Sequence, residues 1–172
     1  MWITAIVFVI LVTLDQVSKY LFILHPRLRT IIPGVVDMRL SYNTGAAFGM
    51  GENMTWLWVI ISVLAVAVLA IIAYKNDWRH GTFGAIGVTM ALAGAFGNLI
   101  DRFLTMIHLR DGVVDMISFK WFDWFLGLFG GGANIFNGAD VLLVFGIIML
   151  AIDYIFLYER RVRKYGLKDR KE

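Results

Sequence analysis

Hydrophobic residues fall along this chain in four long blocks, separated by stretches where polar and apolar positions mix. The blocks are Trp2–Leu24, Trp56–Tyr74, Thr82–Leu104 and Phe136–Tyr158. Each is close to the roughly 20 apolar residues that carry a helix across bilayer hydrocarbon. Between the first two blocks the period changes. In Val36–Asn43, Asp37, Arg39, Ser41 and Asn43 alternate with Met38, Leu40 and Tyr42, a period of two that predicts a short strand. Pro33-Gly34 before it reads as a turn. Residues 119–129 are dense in aromatics (Phe119, Trp121, Phe122, Trp124, Phe125, Phe129), with Lys120 and Asp123 among them. That stretch is too short and too charged to span, and reads as an interfacial helix or flap. Gly130-Gly131-Gly132 after it reads as a hinge. The fold class expected is an all-α membrane protein: four transmembrane helices, a small extracytoplasmic β element and an aromatic flap, in one domain over residues 1–172.

Composition strengthens this picture. The 172 residues are 59% hydrophobic, above the roughly 45–50% of a soluble domain. The first apolar run is too long for a cleavable signal sequence and carries Asp15 and Lys19. With no cysteine, disulfides, thiolate metal centres and a thiol nucleophile are excluded. Charge gives the orientation. Lys75, Arg79 and the tail residues Arg160, Arg161, Arg163, Lys164, Lys168, Arg170 and Lys171 make nine Lys/Arg on one side, against five (Arg27, Arg29, Arg39, Arg110, Lys120) on the other. The positive-inside rule then puts both termini in the cytoplasm and turns residues 25–55 and 105–135 outward. The net charge of +3 is concentrated in the C-terminal tail, so orientation explains it better than nucleic acid binding does.

Polar residues in or beside the spans are the candidates for chemistry, because ionisable groups there are costly. Asp115 and Asp140 fall at the same outer interface, with Asn43, Asn98, Arg102 and Asn137 placed around them. Asn137 and Asp140, at i and i+3, share a helical face. Arg102 is suited to tuning a carboxylate pair or holding a carbonyl oxygen, whereas Asp101 reads as part of a capping and ion-pair cluster. Asp15 and Lys19 form an i,i+4 pair, read either as a satisfied helix contact or as part of a site. A Ser18/Lys19 dyad is a competing possibility, but adjacent helical residues point about 100° apart. No metal is implied: Asp111 and Asp115 are four apart, but His25, His80 and His108 stand at no recognised ligand spacing. Asp153 reads as structural, within reach of Arg160, and Asp37 and Asp123 as solvated.

Five stretches then resemble one family. They are Asp15-Gln16-Val17-Ser18-Lys19, Tyr42-Asn43-Thr44-Gly45-Ala46-Ala47-Phe48, Gly97-Asn98-Leu99-Ile100-Asp101-Arg102, Val113-Val114-Asp115 and Phe136-Asn137-Gly138-Ala139-Asp140. In order and spacing they resemble lipoprotein signal peptidase (signal peptidase II), the bacterial aspartic membrane protease that processes prolipoproteins. The chain departs from the family pattern at Met116, where Phe is usual, and at Ala93-Gly94-Ala95, where a Gly-Gly pair is frequent. Residues 121–134 also look longer than typical. The resemblance implies a catalytic pair, Asp115 and Asp140, with Asn43, Asn98, Arg102, Asn137, Asp15 and Lys19 lining or supporting it. It implies no cofactor, substrates that are prolipoproteins already diacylglyceryl-modified on cysteine, membrane lipids as surroundings and no nucleic acid partner. It places the protein in the bacterial cytoplasmic (inner) membrane with its site at the outer leaflet. The reading from a different class is a small transporter that uses Asp15, Lys19, Asp101 and Arg102 as an ion relay.

Overall fold

A computed structural model describes residues 2–27, 29–45, 54–128 and 134–166. Residues Ala46–Phe48 of the second motif, the Gly130–Gly132 hinge and the tail basic residues Lys168, Arg170 and Lys171 lie outside the described residues. Among the described residues, four helices are long and apolar enough to cross a membrane. They are α1 (Trp2–Leu24), α2 (Thr55–Lys75), α3 (Thr82–Met106) and a last span covering Gly138–Tyr165. The last span comprises a helix over Gly138–Ile152, a π-helical turn over Asp153–Leu157 and a final helix over Tyr158–Tyr165. The expected boundaries hold for the first three within two residues. The fourth differs: its helix starts at Gly138, because Ile135–Phe136 is taken up as a strand, and it continues seven residues past Tyr158.

α3 is the central helix. Gly84, Gly87, Ala91, Gly94, Ala95 and Gly97 are buried along it, and small residues let a neighbouring backbone approach. At Gly94 an added Cβ would overlap Ala139 O and lie 2.7 Å from Leu143 N. The family's frequent Gly-Gly pair is reduced here to one glycine, at a place where the last span leaves no room for a side chain. The other three spans keep most of their large side chains exposed, among them Ile6, Ile10, Leu64, Val68, Phe145 and Ile148. That is the exterior expected of helices solvated by lipid. α3 ends where His108 takes a left-handed φ of 60°.

Four antiparallel strands form one sheet in sequence order: β1 (Arg29–Ile32), β2 (Val36–Asn43), β3 (Val113–Phe119) and β4 (Ile135–Phe136). The turn at Pro33-Gly34 holds, with Gly34 at φ +75°. β3 is the part the polar/apolar pattern did not reveal. Its residues Val113–Met116 are all buried, in contrast to half-buried β2. A strand covered on both faces shows no alternation. Helix α4 (Lys120–Gly127) follows directly and leaves Trp121, Trp124 and Phe125 exposed, as an interfacial aromatic flap would. Its base is fixed: Ser118 Oγ donates to Asp123 Oδ2 (2.6 Å), Asn134 N donates to Asp123 Oδ1 (2.7 Å), and Lys120 pairs with Asp37 at 3.1 Å. Asp123 and Asp37 are therefore partnered rather than solvated. We number the remaining helices α5 (Gly138–Ile152) and α6 (Tyr158–Tyr165).

Candidate active site

Asp115 comes from the middle of β3, opposite Ser41 in the β2–β3 register. Asp140 comes from the first turn of α5. Asn137 joins them. As N-cap of α5 it accepts Asp140 N at its Oδ1 (3.0 Å), while its own N–H donates to Asp140 Oδ2 (3.0 Å). This capping box satisfies donors that a helix start would otherwise leave free. It also settles the amide's orientation. With Oδ1 committed to the helix, Nδ2 faces the other way and donates to Asp115 Oδ1 (2.7 Å) and Asn98 Oδ1 (3.1 Å). Asn137 is fully buried, so the same residue starts the helix and holds both carboxylates.

Asn98, on α3, is oriented from the opposite side. Lys19 Nζ donates to Asn98 Oδ1 (3.2 Å), and an ammonium has donors only. Asn98 must therefore present Nδ2 to Asp140 Oδ1, at 2.7 Å. Lys19 is completely buried, and its other two donors meet Asp15 (2.9 Å) and Asp101 (2.8 Å). Asp15 in turn accepts Ala139 N at 3.1 Å, tying α1 to the residue before Asp140. Its carboxylate fits because position 97 is glycine: a Cβ there would stand 2.5 Å from Asp15 Oδ2. Asn43, at the end of β2, donates to Asp115 Oδ2 (3.2 Å) and accepts Gly45 N (3.0 Å).

The structure thus brings Asp115, Asp140, Asn43, Asn98 and Asn137 into one network, with Lys19 and Asp15 behind it. Arg102 is steadied from α2: its Nη1 donates to Ser62 (3.1 Å), and it lines a small recess with Asn43, Thr44 and Val113. Asp101 is the structural ion-pair group it was expected to be, bonded by Lys19, Gln16, Arg110 and Val114 N. The Ser18/Lys19 dyad does not form: Ser18 is exposed and donates to Asp15 O within its own helix. Asp153 pairs with Arg161, not Arg160. Among the described residues no three His, Cys, Asp or Glu converge as metal ligands.

Three participants carried no role in the sequence reading. Arg110 pairs with Asp101, Gln16 links Asp15, Asp101 and the Gly97 carbonyl, and Ser62 accepts from Arg102. Ser62 had a usable signal as a lone polar residue inside an apolar span, and Gln16 as a member of the polar Asp15–Lys19 stretch. Arg110 had none, because its loop position makes it look solvated.

Burial raises the Asp115 carboxyl from 3.8 to about 7; the charge of Asp140 adds to the rise, and the Asn137 and Asn43 amides oppose it. One carboxyl that keeps its proton near neutrality, beside a second carboxylate, can act as acid and base on the same bound water.

Comparisons with known proteins agree on one family. A family model described as "Signal peptidase (SPase) II" matches residues 7–156. A "Lipoprotein signal peptidase" of Symbiobacterium thermophilum is 33% identical over 157 residues, covering 89% of this chain and 93% of that protein. One from Streptococcus pyogenes is 33% identical over 151 residues, covering 84% of this chain and 87% of that protein. A solved structure described as "Bacterial membrane enzyme structure by the in meso method at 1.9 A resolution" is 27% identical, with a TM-score of 0.73 over 91% of this chain and 95% of that one.

Proposed function

Since this chain belongs to the signal peptidase II family, we propose that it is an aspartic-type membrane endopeptidase with Asp115 and Asp140 as its catalytic pair. Its substrates are prolipoproteins whose cysteine carries a diacylglyceryl group, and it cleaves on the amino side of that cysteine. The observation that carries this reading is the single buried residue Asn137, whose side-chain Nδ2 donates to the Asp115 carboxylate and whose backbone N–H donates to the Asp140 carboxylate at the mouth of α5.

Asp115, whose carboxyl is raised to about 7, holds the proton of the pair and Asp140 serves as the base. Asp140 takes a proton from water as the water oxygen bonds to the scissile carbonyl carbon, and Asp115 gives its proton to the carbonyl oxygen. In the second step Asp140 passes its proton to the amine nitrogen, the C–N bond breaks, and a hydroxyl proton of the diol returns to Asp115. The pair ends as it began. Asn98 and Asn137 keep Asp140 aimed, and Asn43 holds the outer oxygen of Asp115.

Both termini are cytoplasmic in this reading, and the pair lies at the outer leaflet. Acyl chains of the substrate then stay in lipid while its peptide bond meets water, and the exposed aromatic side chains of α4 sit at the same boundary. The ion relay of a transporter is disfavoured by saturation: Lys19 spends all three donors on Asp15, Asp101 and Asn98. The test is cleavage of a diacylglyceryl-modified prolipoprotein by purified Asp115→Asn and Asp140→Asn variants that still insert in the membrane. Each should lose activity by several orders of magnitude; appreciable cleavage by either variant refutes the assignment.

A further inference from the structure

At the far end of the bundle from the carboxylates, the start of α3 and the helix α6 enclose a second polar site. Thr82 and Asn98 are sixteen residues apart on α3, which puts the two sites about 24 Å apart along the helix. A cavity of about 280 Å³ opens there, lined by His80 and Phe83 and by Leu157, Arg160, Arg161 and Lys164. Its walls are built rather than incidental. His80 stacks on Tyr165 with ring centroids 4.3 Å apart, and Lys164 Nζ lies 5.2 Å from the Tyr165 ring centre. Arg161 is held by Asp153 through both terminal nitrogens, which leaves its buried Nε without an acceptor.

The charges around the cavity do not cancel. Asp153 is taken by Arg161, Asp77 accepts the backbone N–H groups of Arg79 and His80 and contacts the His80 ring, and Glu159 faces Arg163 at 3.8 Å. Among the described residues neither Arg160 nor Lys164 has a carboxylate within ion-pair distance. The site therefore has two spare positive charges at its rim, an unfilled guanidinium donor in its wall, and Phe83 and Leu157 as an apolar lining. Phe83 is itself partly exposed, among the outward-facing apolar side chains of the bundle. A ligand that matches carries an anion joined directly to hydrocarbon, as a phospholipid headgroup phosphate is. We propose that this cavity binds the headgroup phosphate of an anionic phospholipid from the leaflet opposite the catalytic pair, with Arg160 and Lys164 on the phosphate and the acyl chains running out past Phe83 and Leu157.

Two basic groups near a membrane surface are worth about 2 kcal/mol together, which corresponds to about 30-fold in affinity. The experiment is a titration of the delipidated full-length protein in detergent with phosphatidylglycerol, phosphatidylcholine or inorganic phosphate, read by native mass spectrometry and by the thermal midpoint. Phosphatidylglycerol should bind and raise the midpoint, phosphatidylcholine should bind at least tenfold more weakly, and inorganic phosphate at the same concentration should do neither. The Arg160→Gln/Lys164→Gln variant should lose about 30-fold in phosphatidylglycerol affinity. Arg163→Gln removes a charge of the same tail outside the cavity and should stay within twofold of the parent. Equal weakening by Arg163→Gln would reduce the effect to diffuse tail charge. An unchanged double variant, or a midpoint shift reproduced by inorganic phosphate, would overturn the lipid site.

Discussion

Replacing Asp115 by Asn should abolish cleavage and yet make the protein more stable at alkaline pH. Asp115 is 3% exposed, and its carboxyl is raised from 3.8 to about 7, by burial first and by Asp140 second. Between those two values the folded chain holds a proton that the unfolded chain has released. Stability conferred by this group is therefore fully present below about pH 4, falls as pH rises through the window, and is lost above about 7. A rise of that size corresponds to about 4 kcal/mol. An amide at position 115 does not titrate, so it escapes this loss. It brings a cost of its own. Both Asp115 oxygens accept hydrogen bonds, from Asn137 Nδ2 and from Asn43 Nδ2, and an amide offers only one acceptor atom. The donor–donor encounter left over costs about 1–2 kcal/mol. The variant should then be less stable than the parent by about 1–2 kcal/mol at pH 4 and more stable by about 2–3 kcal/mol at pH 8. Unfolding by heat or denaturant in one detergent at pH 4.5, 6 and 8 measures the difference. A pH-independent difference, or a deficit that grows with pH, would refute a protonated buried acid at this position.

Cleavage by the unaltered enzyme should fall as pH is raised through about 7, where Asp115 loses its proton; kcat/KM that is flat to pH 9 would place the proton elsewhere. Lys19→Met leaves Asp15 and Asp101 facing a neutral side chain and should cost about 3–5 kcal/mol. Adding Asp15→Asn should recover part of that loss in the thermal midpoint, and a double variant weaker than the single one would contradict the pairing. Gly94→Ala drives a methyl into Ala139 O and Leu143 and should cost about 1–3 kcal/mol while lowering activity through the displaced start of α5. Ser18→Ala should change neither stability, beyond about 0.5 kcal/mol, nor cleavage, because its hydroxyl bonds only the Asp15 carbonyl of its own helix.

How far the sequence could be read follows from which forces leave a periodic trace. The spans were legible because bilayer thickness imposes a length, and β2 because one of its faces differs from the other. β3 was not legible, although it carries Asp115: Val113–Met116 is buried on both faces and so lacks alternation. Local pairing was legible where partners lie within one helix, as for Asp15 and Lys19. It failed across elements. Asp37 and Asp123 read as solvated because Lys120, Ser118 and Asn134 meet them only after the sheet folds. The partner of Asp153 was misjudged by one residue, because the π-helical turn Asp153–Leu157 rotates the final helix and brings Arg161 inward. The hydroxyl that steadies Arg102, Ser62, lies on another helix and leaves no trace in the local spacing around Arg102.

The charges of the buried network bear on the protonation state that the chemistry needs. Lys19 and Arg110 face Asp15 and Asp101, two positive groups against two negative ones, joined by direct ion pairs. That cluster matches its carboxylates and cations one for one. In front of it stand Asp115, Asp140 and Arg102, with two carboxylates and one cation. Neutrality there requires one proton on the carboxylate pair, and a net charge beside the buried Asp115 is costly. The same wall that fixes the amides of Asn98 and Asn137 thus leaves the pair favouring a single shared proton. A residue such as Lys19 acts on Asp140 without touching it: its ammonium turns the Asn98 amide, and the amide aims the carboxylate. Removing a charge from that wall, as in Asp101→Asn, should therefore move the pH profile of cleavage as well as the thermal midpoint. A purely structural role would move the midpoint alone.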